Sequence, residues 1–340
     1  MFTVRPYQQN IGKVKLMLND IFKVSRVIGT FPIDSEYSGI SRYNLAGGVF
    51  LYVIGSGAIT VITHCMPNDD VALPSRILFI FEITPIIFFH SINLLWLVVN
   101  RGLMKELYDE LMDLEYQLWK RGIDWSYNPS RCLKYLGPIA MAFFGIYWEI
   151  FYTKWKNIEF RIPQHIIYPP LISVTSQYLA LLQVCHSLLK VIRTIEESGT
   201  VIKLTDKVLT ALQKVNTLYE PQLLTYISNL FVVILVLAYS KINMSSPFSL
   251  GTVCWAIPII IFHSINLLWL VVNRRLMKEI YEELTEIESQ LCNRGILHEM
   301  EKRRISHSAS HDLSSRVQYY KSVFGVTAAL PFDIEVDKDN

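Results

Sequence analysis

The chain has 340 residues, of which 51% are hydrophobic and 18% charged, with a formal net charge of +2 and a mean hydropathy of +0.29. So small a charge, with no basic run interleaved with aromatic residues, excludes a nucleic-acid binder, and the apolar excess points to lipid as the solvent. Five scattered cysteines, Cys65, Cys132, Cys185, Cys254 and Cys292, form no CxxC pair, which excludes zinc-type spacing and a dense disulfide framework.

Residues 1–44 carry charges at short intervals (Lys13, Lys15, Asp20, Lys23, Arg26), so no apolar core of a cleavable signal can be drawn there and the first span itself must direct insertion. Stretches long and apolar enough to cross ~30 Å of hydrocarbon follow at roughly 45–64, 77–99, 135–153, 166–189, 222–240 and 252–273. Glu82 in the second, Glu149 in the third, and Gln177, Gln183 and His186 in the fourth are tolerated in a span only when turned toward protein or water. Pro169 and Pro170 fall near the start of the fourth, where proline is compatible with a helix. The pattern predicts an all-α fold, a polytopic transmembrane bundle of about six spans. Residues 1–44 form a cytoplasmic N-terminal segment, 45–273 the bundle with cytoplasmic helical extensions, 274–296 a cytoplasmic helix, and 297–340 a polar tail without fixed structure.

Direction follows from where the cations lie. Residues 1–44, 100–134, 190–221 and those after 273 hold 27 of the 32 Lys and Arg, which assigns both ends and these two loops to the cytoplasm. The short linkers around 65–76, 154–165 and 241–251 then face outward. One of them carries the sequon Asn243-Met244-Ser245, very close to the membrane.

Residues 85–123 and 258–296 match at 29 of 39 positions without a gap, including the identical run FHSINLLWLVVNR at 89–101 and 262–274. Such identity arises by duplication within one gene or by the joining of two tandem neighbours. It covers one span rather than half a protein, which counts against the repeats of a secondary transporter. Past the span each copy continues with an apolar stripe, Leu103, Leu107, Leu111, Leu114 and Leu118 in the first and Leu276, Ile280, Leu284, Ile287 and Leu291 in the second. Lys105, Glu106, Asp109 and Glu110, and Lys278, Glu279, Glu282 and Glu283, are expected to keep the opposite face in water, with Gly122 or Gly295 as the stop. Span and extension are expected to form one continuous rod over about 77–120, packed against the 190–221 helix.

Several segments resemble the insect gustatory receptors of the insect seven-helix chemoreceptor superfamily. IFKVSRVIGTFPID at 21–34 is similar to the amphipathic lead-in before their first span, and LLKVIRTIEES with LTALQKVNTLYEPQLLTYISNLFVVILVLAY, between 188 and 240, is similar to their fourth-span exit, cytoplasmic helix and fifth span. The resemblance covers about residues 20–250, and the related odorant receptors are its nearest competitor. It implies a multi-pass plasma-membrane receptor, a ligand-gated cation channel subunit that binds a small extracellular tastant and assembles with itself or related subunits. After Arg294 the text is polar (HEMEKRRISHSASHDLSSR), and the family's closing pore-lining helix is not recognised. A truncated, non-conducting receptor or accessory subunit is therefore the alternative, and a secondary transporter a weaker one.

No GxSxG, HExxH, P-loop or GxGxxG occurs, so neither an enzyme nor a cofactor is expected. His298, His307 and His311 lie in the polar tail without metal spacing. His90 with Asn93, and His263 with Asn266, sit three apart on one helix face. They either line a path or bond between helices, a contact worth roughly 0.6 kcal/mol. A tastant arriving from outside directs attention to the outer halves of the spans, where Glu82, Tyr147, Trp148, Glu149, Tyr178 and Trp255 are the candidate contacts. Aromatic residues at that depth also serve as interfacial anchors.

Overall fold

Among the residues described by this computed structural model, which are 12–27, 30–37, 39–65, 87–123, 125, 162–243 and 250–293, there are seven helices and no strand; over 58–65, 162–172, 236–243 and 250–271 the description is of backbone only. The helices are α1 (Lys13–Val27), α2 (Arg42–Cys65), α3 (Ile87–Val99), α4 (Arg101–Lys120), α5 (Ile162–Arg193), α6 (Ser198–Asn243) and α7 (Leu250–Asn293). The all-α class expected from the sequence is what the described residues adopt. No single described helix is long and apolar enough to cross a membrane; the pair α3 and α4 passes that test together, bent by 67° between them.

The chain divides into two compact units. One takes α1 to α4, α5 up to Leu181, α6 from Ala211 and α7 up to Trp269. In it, α1 buries Val14, Met17, Leu18, Phe22 and Ser25, the spacing of one helix face. Its first amides are held from outside the helix: Lys13 and Val14 donate to the two oxygens of Glu115 on α4, at 2.9 and 3.2 Å. Beyond α1 the chain reverses through an aromatic knot. Phe22 and Phe31 stack at 4.1 Å, Tyr37 stacks on Tyr108 of α4 at 4.6 Å, and the Arg26 guanidinium lies over Phe31 and Tyr37.

The first amphipathic extension is α4. Met104, Leu107, Leu111, Leu114 and Leu118 are buried, so Met104 takes the place expected of Leu103, which is only half-buried. The helix ends as the sequence predicts. Gly122 adopts a positive φ of 72°, its amide bonds to the Trp119 carbonyl, and the Ile123 amide reaches back to Leu118. These are the paired bonds of a Schellman cap, which a residue with a Cβ would strain.

The second unit is built from α5 from Leu182, α6 up to Thr210 and α7 from Leu270. The stripe Leu276, Ile280, Leu284, Ile287 and Leu291 is buried in full. Two expectations are corrected here. The continuous rod over 77–120 is broken at Asn100, and Glu110 and Glu283, assigned to the water face, are turned inward where each meets a cation. The third span at 135–153, Gly295 and the tail 297–340 lie outside the described residues.

Candidate functional site

The end of α1 delivers Ser25 and Thr30 to the same face of α5, and a connected set of buried polar groups results. Ser25 Oγ and Ser173 Oγ are 2.6 Å apart, Thr30 Oγ1 lies 3.0 Å from Ser173 Oγ, and Gln177 Nε2 donates to Ser173 Oγ at 3.3 Å. Ser173 and Gln177 are four apart, hence on one stripe of α5. Gln177 Oε1 accepts from the Tyr219 hydroxyl of α6 at 3.0 Å, and Asn93 Nδ2 of α3 donates to the Thr30 carbonyl at 3.0 Å. Thr30 also donates to the Ser25 carbonyl that ends α1, at 3.1 Å. One hydroxyl, Ser173, thus ties the N-terminal segment to α5 and, through Gln177, to α6. Burial holds the Tyr219 phenol well above the ordinary tyrosine range, which keeps it a neutral donor.

A second tie lies alongside. Pro221 stands inside α6 and has no N–H for the carbonyl of Thr217, four residues earlier. The Trp96 indole of α3 supplies the donor instead, at 3.3 Å. One turn earlier on α6, Lys214 reaches Glu110 at 2.7 Å and Glu106 at 3.1 Å on α4. Burial alone would lower the Lys214 ammonium, but the two glutamates outweigh it and hold it above the usual lysine range, so it is charged at physiological pH.

No family model, curated protein or solved structure matches the chain.

The sequence-predicted residues scatter about these ties. Tyr178 is buried, with its hydroxyl on Asn216 Oδ1 at 3.1 Å and its ring against Tyr219 at 5.8 Å. Both of these neighbours lie on α6, in the 190–221 stretch. His90 Nε2 contacts the Gly48 carbonyl of α2 at 3.1 Å, so His90 and Asn93 both make contacts between segments. Glu82, Tyr147, Trp148 and Glu149 lie outside the described residues. Trp255, His263 and Asn266 lie on α7 where the description is of backbone.

The second copy repeats the acidic grip with other partners. Arg193 contacts Glu283 at 3.0 Å and also holds Glu286, while His186 Nδ1 lies 3.6 Å from Glu279. Burial raises the Glu283 carboxyl despite Arg193 beside it. Among the described residues, no three His, Cys, Asp or Glu side chains are grouped to hold a metal. Sequence reasoning missed Ser173, Tyr219 and Lys214. The one local signal was Pro221, whose place in a helical stretch orphans a carbonyl and calls for a donor.

Proposed function

We propose that the chain is a polytopic plasma-membrane protein of chemosensory type, by resemblance a gustatory receptor and ligand-gated cation channel subunit binding a small extracellular chemical. The observation that carries the membrane part is a change in what the helices expose. Helix α2 exposes Val49, Phe50, Tyr52 and Val53, and α3 exposes Phe88, Leu95 and Val99, the last two by 67% each. On α6 the stripe Leu224, Ile227, Phe231 and Leu235 is exposed at helical spacing. Contiguous apolar faces of this kind are a liability in water and ordinary in lipid.

The exposed faces turn polar at particular residues. After Asn100, α4 shows Arg101, Lys105, Glu106 and Asp109; before Pro221, α6 shows Lys203, Gln213 and Glu220. Both changes fall within a residue or two of the inner boundaries that the cation count supports, 100 and 221. On this reading the buried polar junction lies at the cytoplasmic end of the bundle, sealed by the N-terminal segment, and a tastant pocket belongs to the opposite half.

The receptor part rests on the likeness of residues 21–34 and 188–240. The test is an engineered cysteine at Asp109 in intact cells. A membrane-impermeant maleimide labels it only after permeabilisation if the topology is right, and labelling from outside overturns it. Ligand-evoked cation current from cells expressing the chain with related subunits supports the channel reading; its absence across all combinations removes that part and leaves the topology standing.

A further inference from the structure

Over residues 89–106 and 262–279 the two copies differ only at Gly102, which is Arg275 in the second. Yet α3 and α4 meet at 67°, whereas α7 runs unbroken through the equivalent Asn273. From one near-identical sequence in two geometries we infer that the α3–α4 joint at Asn100 is a two-state hinge, able to close into an unbroken helix when its ties to α6 are released. The inference stands on the two copies and does not depend on the receptor reading.

The bend has local and tertiary causes. Asn100 sits at φ −94° and ψ 23°, outside the helical minimum, with no side-chain cap to the amides that follow. Its own amide and its Nδ2 both turn back to the Trp96 carbonyl, at 2.9 and 3.0 Å, which closes the end of α3. Met104 N–H to the Asn100 carbonyl, at 3.2 Å, opens α4. Between them lie the amides of Arg101, Gly102 and Leu103, which an unbroken helix directs to Leu97, Val98 and Val99. Gly102, in the first turn of α4 in the bent form, becomes an interior residue in the unbroken one, where a glycine is least favourable. A Cβ at Gly102 meets nothing within 4 Å, so a larger residue does not clash with the bent form.

Two ties on α6 select the bent form. Thr217 holds α3 through Trp96, and Lys214, three residues earlier on the same face, holds α4 through Glu106 and Glu110. The second copy has the same acids at Glu279 and Glu283, but their partners, His186 and Arg193, come from α5. The joint therefore stands where the exposed face changes from apolar to charged, and its angle is set by one turn of α6. Any movement of α6 along its axis is transmitted to both arms.

The experiment is a pulsed-EPR distance between spin labels introduced by unnatural amino acids at positions 88 and 116 of the full chain in nanodiscs. Phe88 and Tyr116 are both exposed, on either side of the joint. At 1.5 Å per residue the bent arms give roughly 35 Å and an unbroken helix roughly 42 Å. The unmodified chain is expected near the shorter distance. Gly102→Arg, which copies the second repeat, and Lys214→Ala are each expected to add a population near the longer one. Gly102→Ala is the milder variant should the arginine impair folding, and because Gly102 is helical in both forms the replacement shifts the ratio by less than the roughly fivefold of an interior glycine. A single unchanged distance in all three variants overturns the hinge, as does a longer distance already dominant in the unmodified chain.

Discussion

Replacing Ser173 by alanine is the sharpest test of the buried junction. The hydroxyl has one hydrogen to give and two lone pairs, and its three partners at 2.6, 3.0 and 3.3 Å use all of that capacity. Removing it leaves Ser25 Oγ and Gln177 Nε2 buried without that partner, while Thr30 keeps its bond to the Ser25 carbonyl. Two buried orphans at about 1–1.5 kcal/mol each put the cost of S173A at about 2–3 kcal/mol. In thermal unfolding of the purified 340-residue chain in detergent, that is a fall in midpoint of roughly 3–4 °C. Hydrogen exchange locates the loss, with faster exchange expected over residues 25–31. T285A is the control, because that hydroxyl is exposed and bonds only within its own helix, to Tyr281 at 2.9 Å. It is expected to stay within about 0.5 kcal/mol of the parent. Equal effects of S173A and T285A, or unchanged exchange at 25–31, would show that Ser173 is not the link between these segments.

The α4–α6 clamp is expected to be unequal. Lys214 and Glu110 are 16% and 27% exposed, so a K214A/E110A double-mutant cycle should give about 1–2 kcal/mol of coupling, whereas Glu106, 64% exposed, should give less than ~0.5 kcal/mol in the matching cycle. Trp96→Phe should cost about 0.5 kcal/mol by removing the donor to the exposed Thr217 carbonyl, and less in combination with Pro221→Ala, which returns a backbone donor; equal costs in the two backgrounds contradict this role of Trp96. Burial raises the Glu115 carboxyl, although the Val14, Lys13 and Gly12 amides pull it down. The folded state therefore binds this proton more readily than the unfolded one, and stability is lost as pH rises from the ordinary 4.5 through the raised value. Unfolding midpoints of Glu115→Gln should be flatter over that window, and an identical pH profile refutes the assignment.

What the sequence made legible was periodic or conformational. The stripe of α7 from Leu276 to Leu291 and most of that in α4 could be counted off, and Gly122 could be placed as a stop because a left-handed residue is needed there. What was not legible depends on contacts distant along the chain. Glu110 and Glu283 look like solvent-facing acids until Lys214 and Arg193 arrive from other helices. The break at Asn100 could not be read from the run that also forms α7 unbroken, because the ties deciding it lie on α6. Ser25, Thr30 and Ser173 carry no signature at all, being ordinary small polar residues brought together only by the reversal after α1.

The exposed faces change from apolar to polar at Asn100 and Pro221, and depth measurement by EPR power saturation in nanodiscs reads that change directly. Nitroxides placed at Leu95 and Phe231 should collide freely with oxygen and hardly at all with a water-soluble nickel chelate, as lipid-facing positions do. Those at Lys105 and Glu220 should show the reverse, although only ten and eleven residues separate the members of each pair. Equal access of the nickel chelate to all four positions would contradict the membrane bundle and its inner boundary at Asn100 and Pro221.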